Sequence, residues 1–122
     1  MKLNYTELEV WKSSRALVKQ VYLLCTSFPN EELYALTNQV RRCSVSVPSN
    51  IAEGLGRQSI KETIHFLCIS KGSIYELETQ LFLAFDLDYI SKEKLNVSAY
   101  LDKPLTIENL LETVKQVLIT ND

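Results

Sequence analysis

Two groups of cations are the residues best placed to do chemistry in this 122-residue chain. Lys12, Arg15 and Lys19 recur at three- and four-residue steps, which lines them along one face of a helix. Arg41, Arg42, Arg57 and Lys61 flank the stretch VPSNIAEGLGR, residues 47–57. Cations in such rows suit a phosphate backbone, contacted without sequence specificity and with strong salt dependence. The same spacing also serves an ordinary solvated face laced with intrahelical ion pairs. The net charge of −2 does not advertise nucleic-acid binding, yet its distribution is uneven. Residues 1–72 carry +3 and residues 73–122 carry −5.

Catalytic constellations are thin. His65 is the only histidine, and helical spacing puts it opposite the apolar centre of its segment. Cys25, Cys43 and Cys68 fall in apolar rows as small hydrophobes, with no CxxC and no Cys/His spacing that suits zinc. Glu76 and Glu78 are two apart and do not face each other on a helix. A dimetal bundle needs Glu-x-x-His motifs, which are missing. No cofactor, metal or small-molecule substrate is expected, and no enzymatic activity. MKLNYTELEVW lacks the apolar core of a signal peptide, and no apolar run approaches the ~20 residues of a membrane span. A cytoplasmic chain with reduced, buried thiols is the expectation.

These residues need elements to hold them. Three glycines, three prolines and 46% hydrophobic residues argue for one globular domain, residues 1–122, and against a turn-rich β fold. Residues 6–27 have helical periodicity, with Thr6 and Glu9 spaced as a capping box. A second helix is expected from near Glu31, with Leu33, Leu36, Val40, Cys43, Val47 and Ile51 on its apolar side. Its period continues through Pro48, so VPSNIAEGLGR is the end of a bent helix. A phosphate-binding loop would need a preceding strand and a different glycine spacing.

Ser59 with Glu62 caps a third helix that runs to about Asp86. Its apolar arc, centred on Ile60, Ile64, Leu67, Ile74, Leu81 and Phe85, covers about 200°, wider than a surface helix needs. One side suits the bundle interior and the other a second subunit. A fourth helical region starts at Lys92 after Ser91, with a kink or break near Asp102–Pro104. Four amphipathic helices with short links give an all-α, antiparallel up-down-up-down four-helix bundle.

The segment QVRRCSVSVPSNIAEGLGRQSIKETIHFLCISKGSIYELETQL, residues 39–81, resembles the four-helix-bundle family linked to intervening sequences of bacterial 23S ribosomal RNA genes. The likeness rests on Ser46, Asn50-Ile51-Ala52-Glu53-Gly54, Gly72-Ser73, Glu76-Leu77-Glu78 and Gln80-Leu81, with Trp11-Lys12 and FPNEELY before them. It covers residues 5–90 best. Pro104 departs from the pattern. The resemblance implies a bundle that assembles as a ring-like homopentamer. It extends to accessory proteins of diversity-generating retroelements, which are basic pentamers that bind RNA and a reverse transcriptase.

Within that frame Asn50 and Glu53, beside Pro48, are candidates for an oligomer interface or for a polar anchor inside one chain. Lys71 and Glu78 project from the apolar side of the third helix, either as snorkelling charges or as an intersubunit ion-pair network, with Glu53 a candidate partner for Lys71. Gly72 with Ser73 would let a neighbouring helix approach. The expected function is a non-enzymatic oligomeric scaffold, a homopentamer by resemblance, that engages RNA or a nucleic-acid-binding protein through Arg41, Arg42, Arg57, Lys61, Lys12, Arg15 and Lys19. The alternative is a protein-interaction module with no nucleic-acid role.

Overall fold

The computed structural model describes residues 4–95, and every regular element among them is helical. Helix α1 runs Glu9–Cys25, α2 Leu36–Leu55, α3 Ile60–Asp86 and α4 Lys92–Leu95. The expected fourth helix beyond Leu95, with its break near Pro104, lies outside the described residues.

The start of α1 differs from the expected capping box. No side chain caps α1 at Leu8, and Thr6 is instead held by Asn4, whose Oδ1 accepts from the Thr6 backbone N–H at 3.1 Å and from the Thr6 hydroxyl at 2.6 Å. That opens a 3-10 turn, Tyr5–Glu7, and extended Leu8 then resets the chain before α1. The second helix also starts later than Glu31. Pro29 is extended, Asn30–Glu32 makes one 3-10 turn, and Ala35 is off-helix at φ −121° and ψ −109°. The acidic pair still helps, because Glu32 Oε2 accepts the Leu36 backbone N–H at 3.1 Å, at the positive end of α2. Leu33, expected on the apolar side, is exposed.

Pro48 lies inside α2 without ending it. It lacks the N–H that would bond the Ser44 carbonyl. α3 starts where expected: the Ser59 hydroxyl accepts the Glu62 backbone N–H at 3.4 Å. It ends where Asp88 takes a left-handed φ of 63° and the Tyr89 N–H reaches back to the Ala84 carbonyl at 2.8 Å. Tyr89 bolts this turn to the α1–α2 connection. Its hydroxyl donates to Glu32 Oε1 at 3.0 Å, its carbonyl accepts from Ser27, and its ring packs on Phe28.

α2 packs against both α1 and α3. Its contacts with α3 run in opposite order along the two helices: Gly54 meets Thr63, Val47 meets Ser70 and Cys43 meets Ser73. The two helices are therefore antiparallel. Leu17 and Val21 of α1, Val40, Val47 and Ile51 of α2, and Leu77 and Leu81 of α3 fill the centre with almost no exposure. Each such side chain contributes roughly 1.5–3 kcal/mol by burial.

The buried face of α3 is rotated from the expected centre. Thr63, Leu67, Ser70, Ile74, Leu77, Leu81 and Ala84 are buried at alternating steps of four and three, a heptad seam. Ile60 and Ile64 remain 39% and 41% exposed. The reason is the seam's chemistry: α2 comes close through small and hydroxyl side chains, so Thr63 and Ser70 join Leu67, Ile74 and Leu81 in the buried line while Ile60 and Ile64 stay outside it.

Candidate nucleic-acid interface

The charge asymmetry becomes a surface once α1 and α2 lie side by side. From Val10 to Asn30 and from Leu33 to Ala52 the chain has no Asp or Glu, while Lys12, Arg15, Lys19, Arg41 and Arg42 fall in those spans. Arg15, on α1, places its guanidinium 4.9 Å from the centre of the Trp11 ring, one turn earlier. Arg41, on α2, reaches across to α1 and lies 5.1 Å from the centre of the Tyr22 ring. Both are in range for cation–π attraction, worth about 0.5–1 kcal/mol where exposed. Trp11 is braced from below by Tyr5, edge-on at 5.3 Å. Trp11, Arg15, Lys19 and Tyr22 project within about 80° of one another around α1. The face therefore joins Arg15, Lys19 and Arg41 with two partly exposed rings. Lys12, at its margin, makes a long 3.8 Å pair with Glu9.

Arg41 is more buried than Arg15, Lys19 or Arg42, and its Nε is buried with no hydrogen-bond partner among the described residues. It also faces Cys25, whose thiol is pushed up by burial and pulled back in part by that guanidinium.

The structure separates the rest of the second cationic group from this face. Arg42, the next residue on α2, is exposed and turned about 100° away. Arg57 donates to Glu53 Oε1 at 2.6 Å and lies 4.9 Å from the Phe66 ring centre. Lys61 is exposed on the first turn of α3. Glu53, a candidate partner for Lys71, is thus engaged by Arg57, four residues on and just past the end of α2.

The VPSNIAEGLGR stretch forms the α2 side of a polar seam with α3. Asn50 Nδ2 donates to the Ser46 carbonyl and hydroxyl, both at 2.8 Å, and Ser46 shares a 2.8 Å hydroxyl bond with Ser73. Ser70 donates to the Val47 carbonyl at 2.9 Å and Thr63 to the Gly54 carbonyl at 2.8 Å. Bonds made in the interior satisfy groups that burial would otherwise penalise. Gly54 permits the approach: a Cβ there would sit 2.9 Å from Phe66 Cβ and 3.1 Å from the Thr63 carbonyl oxygen. Gly72 is different. It is exposed, and a Cβ would meet nothing within 4 Å. Lys71 and Glu78 are half-buried on α3, and neither forms an ion pair among the described residues.

Of the three thiols, Cys25 and Cys43 are buried, but Cys68 is exposed, contrary to the expectation of a buried row. Cys43 donates to the Ser73 carbonyl at 3.0 Å, and burial, with Glu76 beside it, pushes its thiol up to about 12. That thiol is not a nucleophile near neutral pH. His65 is exposed, with its ring edge-on to Phe66. Among the described residues no group of three His, Cys, Asp or Glu could hold a metal ion, and no helix is long and apolar enough to cross a membrane.

Sequence reasoning missed the roles of Trp11 and Tyr22. The Trp11–Arg15 spacing of four carried the first stack in plain view; the Arg41–Tyr22 stack is tertiary and had no local signal.

The comparison with family models finds one described as 23S rRNA-intervening sequence protein, matching residues 6–117. No curated protein matches the chain.

Proposed function

Because the chain belongs to the 23S rRNA-intervening sequence protein family, we propose that it is a non-enzymatic, oligomeric helical-bundle scaffold that engages RNA or a nucleoprotein partner through its α1–α2 face. The observation that carries this reading is the packing of α1 against α2 along stretches that lack Asp and Glu, residues 10–30 and 33–52, which brings Arg15, Lys19 and Arg41 to one face of the described residues. Phosphate contacts need that kind of surface and no pocket. A ring of subunits, a homopentamer by the family resemblance, would repeat the face and turn weak contacts into multivalent ones.

The exposed apolar side chains of α3 support assembly. Ile60, Ile64, Tyr75 and Phe82 are 39% to 50% exposed, far more apolar surface than a polar helix back presents. The same observation favours the second reading, a protein-interaction module that uses α3 and no nucleic acid.

The test is native mass before and after nuclease, followed by a salt titration of binding to mixed RNA and DNA. The nucleic-acid reading expects an oligomer, a nuclease-sensitive mass increment, and affinity that falls steeply with salt. An oligomer that binds neither polymer at low salt selects the protein-interaction reading. A monomer removes the scaffold.

A further inference from the structure

We propose that the Arg15–Trp11 and Arg41–Tyr22 stacks are decks for unpaired bases, so that the α1–α2 face takes single-stranded nucleic acid in preference to duplex. This rests on the reading of that face as the nucleic-acid surface and adds what kind of strand it fits.

A pure phosphate contact needs only charge. Lysines at the same positions would supply it. Here two of the three central cations are arginines laid over aromatic rings, at 4.9 Å and 5.1 Å from the ring centres. Each guanidinium lies within cation–π range of its ring, Arg15 is exposed, and a planar guanidinium beside a ring offers a base a stacking surface that an ammonium does not. Tyr22 is 42% exposed, so its ring also has free area.

The two decks point the same way. Trp11 and Tyr22 are eleven residues apart on α1, about three turns, which puts them about 16 Å apart along the axis and only about 20° apart around it. Between them lie Lys19 and Val18 of α1, and Val45 of α2, 39% exposed and one turn beyond Arg41. The floor is therefore apolar between two stacks, with one cation at its side. That arrangement gains little from a duplex, whose base faces are hidden in its own stack. A single strand offers every base face, and stacking on aromatic and guanidinium planes is tolerant of sequence.

The chain has a single tryptophan, so Trp11 reports directly. The full chain is titrated at low salt with a fluorescein-labelled 12-nucleotide oligouridylate and with a 12-base-pair RNA duplex. The expected result is quenching of Trp11 emission by the single strand and about tenfold tighter binding of it than of the duplex. Arg15→Lys and Tyr22→Leu keep charge and bulk, respectively, but remove a deck. Each should weaken single-strand binding by about tenfold, more than it weakens duplex binding. Equal affinity for the two polymers without quenching overturns the proposal and leaves the phosphate surface standing. Failure of both to bind at low salt overturns the decks and the nucleic-acid reading together. The wild-type quenching needs no variant to fold.

Discussion

Gly54→Ala tests whether the α2–α3 seam is set by backbone approach. The added Cβ would lie 2.9 Å from Phe66 Cβ and 3.1 Å from the Thr63 carbonyl oxygen. Neither atom is the free end of a flexible chain, so the helices must move apart. Overpacking of this kind costs about 1–3 kcal/mol. Separation also stretches the buried Thr63–Gly54 bond, now 2.8 Å, worth about 1 kcal/mol. Against this, alanine gains up to about 1 kcal/mol over glycine in a helix. The net expectation is a loss of about 1–3 kcal/mol, or a melting temperature lower by about 4–12 °C for a domain of this size. Gly72→Ala is the internal control. It has the same helix gain and open space around it, so it should stabilise the folded subunit by up to about 1 kcal/mol. Both variants are compared by thermal unfolding at one protein concentration, with native mass recorded. If Gly54→Ala melts at or above the wild type, the seam is not limited by that contact and the reasoning fails. If Gly72→Ala keeps its fold but loses native mass, the space at Gly72 belongs to a partner subunit.

Other consequences are open to direct measurement. Iodoacetamide at pH 8 should modify Cys68 rapidly and leave Cys25 and Cys43 protected in the native protein; three equally fast thiols would contradict the burial. The Cys43 thiol is raised from 9.0 to about 12, so the folded chain holds a proton that the unfolded chain releases. That contribution is complete below about pH 9 and declines as pH rises toward 12, and Cys43→Ala should flatten the alkaline loss of stability seen by denaturant titration. Ser70→Ala deletes the buried donor to the Val47 carbonyl and should cost about 1 kcal/mol; a wild-type midpoint would show that bond to be idle. Lys71→Met should weaken the oligomer if Lys71 pairs across subunits, whereas an unchanged native mass with a higher melting temperature would assign it to a wet face.

What the sequence made legible was local chemistry. Ser59 capping α3 and the apolar period of α2 through Pro48 depend on neighbours three and four residues away, and both stand in the structure. The start of α1 was misplaced because Asn4 accepts from the Thr6 N–H and hydroxyl and so draws Thr6 into a 3-10 turn, leaving Leu8 to open α1 without a side-chain cap. The face of α3 was misjudged for a different reason. Hydrophobicity puts Ile60 and Ile64 at the centre of a wide apolar arc without saying which part of it meets the bundle, and which line is buried depends on which helix comes close. A close approach selects Thr63, Ser70 and Gly54 over larger side chains. The cations were legible as charges. Their division was not, because it depends on Arg41 turning to Tyr22 on α1 while Arg57 turns to Glu53 and Phe66.

Arg41 links the two halves of this account and constrains how binding experiments can be interpreted. On one side of α2, Gly54, Val47 and Ser46 hold α3 through bonds that are structural. On another side Arg41 reaches α1, with its Nε buried and without a partner among the described residues and its guanidinium over Tyr22. Removing it changes surface charge, uncovers a ring, and alters the surroundings of Cys25 at once. Loss of binding in Arg41→Ala therefore speaks for phosphate contact only if the melting temperature stays put. Arg15 and Lys19 are exposed, and substitutions there act on the surface with little effect on the fold. If the α1–α2 face binds nucleic acid through charge, Lys19→Glu must weaken binding and flatten its salt dependence while leaving stability alone. Arg42→Glu, of equal charge but turned toward the other side of α2, must do much less. Equal effects from the two would mean that net charge, and not this face, governs the interaction.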